Sequence, residues 1–335
     1  MTDRQTGRTR AGSLAESLAQ ARSRLAEAGV PSPAADAELL AAHVLGVTRG
    51  QLCTLSLRGD LLDEKSSLAL DDLVEQRALR IPLQHLTGLA AFRGLQLRVG
   101  PGVFVPRPET EVTAGLAIEE ARRPADPGAD RALVVDLCTG SGAIALAVAA
   151  EVPRADVVAL ELDEQALAWA DLNIRADLKT RSEQRTRSGQ RPRVELRSGD
   201  VADCTATVLS DLVGRVDVVV SNPPYIPSHA VPVDPEVRRH DPPRALYGGG
   251  EDGLATPRAV VRAAAELLRP GGLLVMEHGD EQGPATRALT VVRTAAPTGQ
   301  PIWEQAGTRQ DLTGRDRVLV VRRHGISTQV GDSSA

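Results

Sequence analysis

A chain of 335 residues suits two domains, or one large domain with an appendage, and with only six aromatic residues its core must be built from Leu, Val, Ile and Ala. The formal net charge of −5 gives no basic footprint for nucleic acid, no run reaches the roughly 18 consecutive apolar residues of a membrane span, and the three cysteines lack metal-ligand spacing. The polar start, Met1 to Arg10, has no apolar signal-peptide core, so a reduced, soluble, cytoplasmic protein is expected, with no membrane partner and no direct nucleic-acid binding.

Residues 1–12 are polar and expected to be disordered. From Ser13 the pattern turns helical, because Leu14, Leu18, Ala21 and Leu25 recur at the steps of a helix with one buried face. Gly29 ends that helix and Pro31 prevents its continuation. Residues 34–45, 51–57 and 68–79 read as further helices, which predicts a helical substrate-recognition domain over residues 13–85. Residues 86–108 change character. Phe92 to Val99 alternates between Gly94 and Gly100, the pattern of a short hairpin that leads into a linker. Glu109 or Thr110 then opens a helix.

From Arg131 strands and helices alternate. Strands are expected at 132–137, 157–160, 194–196, 216–221, 272–277 and 317–321, and helices at 143–150, 164–178 and 256–268. Such alternation predicts an α/β, Rossmann-like domain over residues 109–324, with a mostly parallel sheet and helices on both faces. Lys179 to Arg193 carries six basic residues against one acidic one and reads as a solvated, mobile insertion. The tail, 325–335, is expected to be disordered.

The first of these strands runs into Asp136-Leu-Cys138-Thr139-Gly140-Ser141-Gly142 and then an Ala-rich helix. Glycines let the backbone turn sharply and approach a ligand, and the helix start offers free N–H groups to an anion. Glu161 ends the second strand about 20 residues on, where a carboxylate accepts from both ribose hydroxyls of a nucleoside. The loop alone also fits a nicotinamide-binding fingerprint. Three features favour S-adenosylmethionine. Asp136 stands where it meets the methionine amino group, and Ser198-Gly-Asp200 follows the third strand, where an acid accepts from the adenine amino group. The third is Asn222-Pro223-Pro224-Tyr225, directly after the buried strand 216–221.

A planar nitrogen is a poor nucleophile because its lone pair is delocalised. The Asn222 side-chain carbonyl and the Pro223 backbone carbonyl are suited to accept both of its N–H bonds and aim the nitrogen at an electrophilic methyl. Two prolines fix the backbone and supply no competing N–H. Tyr225 can pack beside the substrate and exclude water. Weaker candidates are His278 and Asp217, both read as structural, and Cys138, which has no group nearby to activate it.

Phe104-Val-Pro-Arg-Pro-Glu-Thr-Glu111, Asp136 to Gly142, Asn222 to Tyr225 and Glu277-His-Gly279 occur in this order, with Pro82 to Gly88 and Arg244 to Gly249 as further matches. Over roughly residues 13–323 the sequence resembles the HemK/PrmC family of protein-(glutamine-N5) methyltransferases. The resemblance implies that S-adenosylmethionine donates a methyl group, leaving S-adenosylhomocysteine, and that the acceptor is the glutamine of the Gly-Gly-Gln loop of class I peptide chain release factors. It implies that Asn222 and Pro223 grip the glutamine amide, that Pro224 and Tyr225 shape the slot, and that Thr139, Gly140, Ser141, Gly142 and Glu161 hold the cofactor. The cofactor set is completed by Asp136, Cys138, Asp200, Val201 and Asn222. Three departures stand out: Val201 where the family often has an aromatic residue, Cys138 in place of a glycine, and the length of the 179–193 insertion. Alternatives are a ribosomal-protein glutamine methyltransferase and a DNA adenine-N6 methyltransferase, which would need base flipping and a basic face. A dehydrogenase, or a non-catalytic binding module, would leave Asn222–Tyr225 without a role.

Overall fold

The computed structural model describes residues 12–123, 131–183, 193–291 and 301–325. The expectations for 1–11, for 184–192 of the basic insertion and for 326–335 lie outside the described residues. The chain divides into two compact units, and one is discontinuous: it takes the N-terminal residues up to Leu89 together with Pro232–His240.

The helical unit contains α1 (Leu14–Glu27), α2 (Pro33–Leu45), α3 (Arg49–Leu57), α4 (Glu64–Ala78) and α5 (Leu83–Thr87). Local signals explain the starts. The Ser13 hydroxyl accepts from Glu16 N at 3.2 Å while the Glu16 carboxylate accepts from Ser13 N at 3.0 Å, a reciprocal cap. Thr48 and Gln51 repeat the arrangement on α3. Asp63 accepts from Ser66 N at 2.8 Å, so α4 starts at Glu64, before the expected Leu68. Leu14, Ala21 and Leu25 are buried as the periodicity requires, packed with Leu40, Leu52, Leu70 and Val74. The five-residue α5 was not expected; it is too short for periodicity to register.

The second unit opens with the hairpin β1 (Leu89–Phe92) and β2 (Leu95–Arg98), turning at Arg93 and Gly94, both at positive φ. Helix α6 (Thr110–Ala121) follows, with Glu109 at its N-cap position. Then come β3 (Ala132–Leu137), α7 (Ala143–Glu151), β4 (Ala155–Glu161), α8 (Glu164–Glu183), β5 (Arg193–Ser198) and β6 (Val216–Ser221). Next are α9 (Pro235–His240), which belongs to the helical unit, and α10 (Pro243–Leu246). The chain ends with α11 (Ala255–Leu267), β7 (Leu268–Glu277), α12 (Gly283–Leu289), β8 (Gly307–Gln310) and β9 (Asp316–Arg322).

The sheet order is β5-β4-β3-β6-β7-β9-β8. The first five strands are parallel, and β9 runs antiparallel to both of its neighbours, β7 and β8. Each face of the sheet carries its own apolar layer. Val134 and Val218 pack with residues of α6 and α7, while Val135 and Val219 pack with residues of α11. Burial on both faces is why these strands read as unbroken apolar runs. Asp217 is the exception in β6. It accepts from Leu133 N at 2.7 Å and pairs with Arg269 at 2.6 Å, a structural acid. Among the described residues no helix is long and apolar enough to cross a membrane, and no cluster of side chains could hold a metal ion.

Candidate active site

Register places the candidate residues at one end of the strands. Leu137 of β3 pairs with Leu160 of β4 and with Ser221 of β6. Glu161 pairs with Ser198, and Ser221 with Met276. The glycine loop, Glu161, Gly199-Asp200, Asn222 and Glu277 therefore leave neighbouring strands at the same level, beyond the carboxyl ends where such sheets bind ligands. The Ser221 hydroxyl donates to the Leu137 carbonyl at 2.7 Å and ties the two loops together at their roots.

Asp136 is fully buried. Its Oδ2 accepts from the Thr139 hydroxyl at 2.6 Å and from Ala145 N at 3.1 Å, while its equally buried Oδ1 has no hydrogen-bond partner. Burial pushes this carboxyl up to about 7, with the Glu161 charge adding to the rise and the two hydrogen bonds opposing it. Glu161 is held differently. Its Oε2 accepts from Gly140 N at 2.8 Å, and its Oε1 accepts from Leu162 N and Asp163 N, both at 2.9 Å. Of the roughly four lone-pair directions of a carboxylate, three are taken. One acceptor direction, on Oε2, remains. Burial raises the Glu161 pKa, and the backbone bonds restrain the rise.

Cys138 has φ +61° and Gly142 φ +82°. The left-handed region costs an L-residue about 1–2 kcal/mol, which accounts for the glycine usual at the position of Cys138. The Cys138 side chain packs against the apolar layer beneath the sheet, and burial raises its thiol pKa well above the ordinary value. Its part in the loop is thus played by its backbone. Val201 likewise lies in that apolar layer, with Leu160 and Leu209, and Asp200 Oδ1 accepts from Ala202 N at 2.8 Å. Asn173 of α8 was not foreseen from the sequence. Its amide donates to the carbonyls of Ser141 at 2.9 Å and Arg98 at 3.0 Å and accepts from Arg98 N at 2.7 Å, joining the loop to the hairpin.

The tetrapeptide is braced from three sides. Ile226 N donates to the Leu246 carbonyl at 2.8 Å, and Gly248 N to the Ile226 carbonyl at 3.1 Å. A Cβ on Gly248 would collide with the carbonyls of Gly253 and Pro224, so the Arg244–Gly249 segment is glycine-rich because it lies directly against the tetrapeptide. Gln282 Nε2 donates to the Tyr225 carbonyl at 2.8 Å, while its Oε1 accepts from Gly279 N at 2.9 Å. Below lies Asn222, whose Nδ2 donates to the Thr110 hydroxyl at 3.0 Å. Tyr225 is partly buried, and burial together with the Glu277 charge holds its hydroxyl protonated, well above the usual phenol range. His278 is buried, with Nδ1 2.7 Å from the Gly279 carbonyl, and burial lowers its pKa, so the ring is a neutral structural group. Arg107 pairs with the buried carboxylate of Asp241 at 2.6 Å and lies over the Phe104 ring. It braces the point where the chain re-enters this unit after Pro232–His240.

Sheet order, glycine loop and tetrapeptide together define a class I methyltransferase, and residues 101–234 match the family described as methyltransferase small domain, with 16–88 matching the PrmC N-terminal domain. A release factor glutamine methyltransferase from Streptomyces coelicolor is 46% identical over 311 residues, covering 92% of this chain and 98% of that protein. One from Mycolicibacterium smegmatis is 44% identical over 310 residues, covering 92% and 98%. A solved release factor-specific protein-(glutamine-N5) methyltransferase from Alicyclobacillus acidocaldarius is 26% identical, covers 68% of this chain and 99% of its own, and has a TM-score of 0.36. The chain belongs to the release factor glutamine methyltransferase family.

Proposed function

We propose that this enzyme transfers the methyl group of S-adenosylmethionine to the side-chain amide nitrogen of the glutamine in the Gly-Gly-Gln motif of class I peptide chain release factors, leaving S-adenosylhomocysteine. The observation that carries the reading is the strand register, which sets Asn222–Tyr225 beside the glycine loop. The residues fit the cofactor. Asp136 Oδ1 is a buried acceptor without a partner, suited to an ammonium group. Glu161 keeps an acceptor direction for a ribose hydroxyl, and the backbone from Cys138 to Gly142 leads into a helix start that receives a carboxylate. Asp200 and Val201 would flank the adenine. When bound, S-adenosylmethionine supplies an electrophilic methyl on a sulfonium.

The chain's own residues do the rest. Asn222 Oδ1 and the Pro223 carbonyl accept the two N–H bonds of the glutamine amide and orient its nitrogen. Pro223 and Pro224 keep that edge of the slot rigid, and Tyr225 covers it. No side chain at the site is a base strong enough to remove an amide proton beforehand. Orientation of this kind is worth up to about 7–11 kcal/mol. Release factors work in the cytoplasm, which is the compartment proposed. The acidic net charge of −5 weighs against DNA as the acceptor.

The test is incubation with labelled S-adenosylmethionine and a class I release factor, with the methyl group mapped by mass spectrometry. The label is expected on the Gly-Gly-Gln glutamine. Label on DNA or on a ribosomal protein instead would overturn the reading. For Glu161→Ala, calorimetry is expected to show S-adenosylmethionine binding weakened about 10- to 100-fold, the value of a hydrogen bond to a charged group. An unchanged dissociation constant would remove Glu161 from the site.

A further inference from the structure

We propose that Thr110 and Glu277 are positioning residues that hold the Asn222 side-chain amide with its oxygen, rather than its nitrogen, turned toward the substrate. The proposal rests on the reading above, in which Asn222 Oδ1 accepts from the glutamine amide.

An Asn side chain has a donor end and an acceptor end of nearly equal size. Turning it over by 180° leaves packing almost unchanged and reverses its chemistry. With Nδ2 toward the substrate, Asn222 would face the glutamine NH₂ donor to donor. Something must choose the orientation, and the buried network behind Asn222 does so. Glu277 accepts from the Thr113 hydroxyl at 3.2 Å, and the Thr110 hydroxyl lies within reach of the same carboxylate and favours its ionised form. A threonine hydroxyl has one proton. With that proton on Glu277, Thr110 offers only lone pairs, and Asn222 Nδ2 donates to it at 3.0 Å. Turning the amide over would set Oδ1 against those lone pairs. Thr110, Thr113 and Glu277 are 4%, 0% and 3% exposed, so water does not supply an alternative partner. The orientation of Asn222 is thus set by a carboxylate two hydrogen bonds away, on a neighbouring strand.

When ionised, Glu277 can only accept, so the Thr110 hydroxyl must be the donor between them. Burial pushes Glu277 up to about 7, opposed by the Thr110 and Thr113 hydroxyls and the Arg317 charge from β9, and reinforced by Glu109 at the start of α6. The Tyr225 hydroxyl also faces it and stays neutral. Below that pH the carboxyl is protonated and can donate to Thr110 as well as accept from it, so it no longer holds the Thr110 proton. The Thr110 proton is then free to turn toward Asn222 and favours the wrong amide orientation.

The test compares Thr110→Val, Thr110→Ser and Glu277→Gln with the wild type, using the full chain and an intact release factor. Thr110→Val keeps the shape and is expected to lower kcat about 10- to 100-fold, with KM for the release factor and S-adenosylmethionine affinity near wild type. Thr110→Ser restores the hydroxyl and most of the rate. The wild-type kcat falls as pH drops through about 7, and Glu277→Gln, which like the protonated carboxyl both donates and accepts but does not titrate, lacks that limb. An unchanged kcat in Thr110→Val, failure of Thr110→Ser to recover, or a persistent limb in Glu277→Gln each overturns the proposal. A wild type that leaves the glutamine unmethylated overturns the functional reading instead.

Discussion

Asn222→Ala is expected to lower methyl transfer to a release factor by about 100- to 1000-fold, the usual cost of removing one preorganised polar group aimed at the reacting centre. The loss should fall on kcat, because a glutamine amide lacking its acceptor is still delivered by the rest of the protein substrate but is no longer aimed. The fold should survive. The substitution removes a neutral hydrogen bond to Thr110, worth about 0.5–1.5 kcal/mol, while the backbone of the tetrapeptide stays pinned by Leu246, Gly248 and Gln282. S-adenosylmethionine binding by calorimetry should stay close to wild type, since Asp136 and Glu161 are untouched. A variant with near-normal single-turnover rate would refute the role given to Asn222, and one that no longer binds the cofactor would move that role from the substrate to the cofactor.

The second large effect concerns stability and lies wholly within the helical unit. Arg77 is 3% exposed. It pairs with Asp36 at 2.7 Å and with Glu236 at 2.7 Å and donates to the Ile81 carbonyl at 3.0 Å, while Arg80 reaches Glu236 at 2.9 Å. Removing one member of a buried ionic network strands the others, at a cost of about 3–5 kcal/mol. Arg77→Met should therefore strongly reduce hydrogen-exchange protection across α2 and α4, and release Pro232–His240 from the unit. The combined replacement Asp36→Leu, Arg77→Met, Glu236→Met should recover most of that loss, because an apolar set of similar volume leaves only Arg80 without its Glu236 partner, and Arg80 keeps Asp234 at 3.6 Å and the Gly29 carbonyl at 3.0 Å. Unaltered protection in Arg77→Met would show that the pairs contribute nothing to the unit; a triple variant as unstable as the single one would show that the cost is packing, not charge.

Much of the architecture was legible because the signals are local. Buried parallel strands read as apolar runs, Ser13 and Thr48 sit where caps belong, and the turn residues after Leu137 and Ser221 stand out against what precedes them. Where local signals mislead, the ends move. Strand β7 starts at Leu268 rather than at the expected Gly272, running through Pro270 and Gly271, because a bulge opposite Val216 and Val218 accommodates them. Strand β8, Gly-Thr-Arg-Gln, has no apolar alternation to notice, since it is a half-exposed edge.

The candidate site was legible in its parts but not in its supports. Asn222–Tyr225 and Asp136–Gly142 are contiguous motifs whose residue types already state their chemistry. Thr110, Glu277, Asn173 and Gln282 are ordinary residues that acquire roles from partners far along the chain; Thr110 and Asn222 are 112 positions apart. Similarly, the resemblance picked out Arg244–Gly249 without giving it a task, and the packing of Gly248 against Pro224 supplies one.

The residues alone point to the class of chemistry, because a glycine loop, an acid at the end of the next strand and a rigid Asn-Pro-Pro-Tyr after a buried strand constrain the reaction wherever the rest of the chain goes. Folding alone settles that Asn222 Nδ2 points at Thr110, how many acceptor directions Glu161 retains, and that Pro232–His240 belongs with residues more than a hundred positions earlier. Periodicity and turn chemistry act over a few residues. Hydrogen-bond direction and buried charge pairing act between residues that only folding brings together.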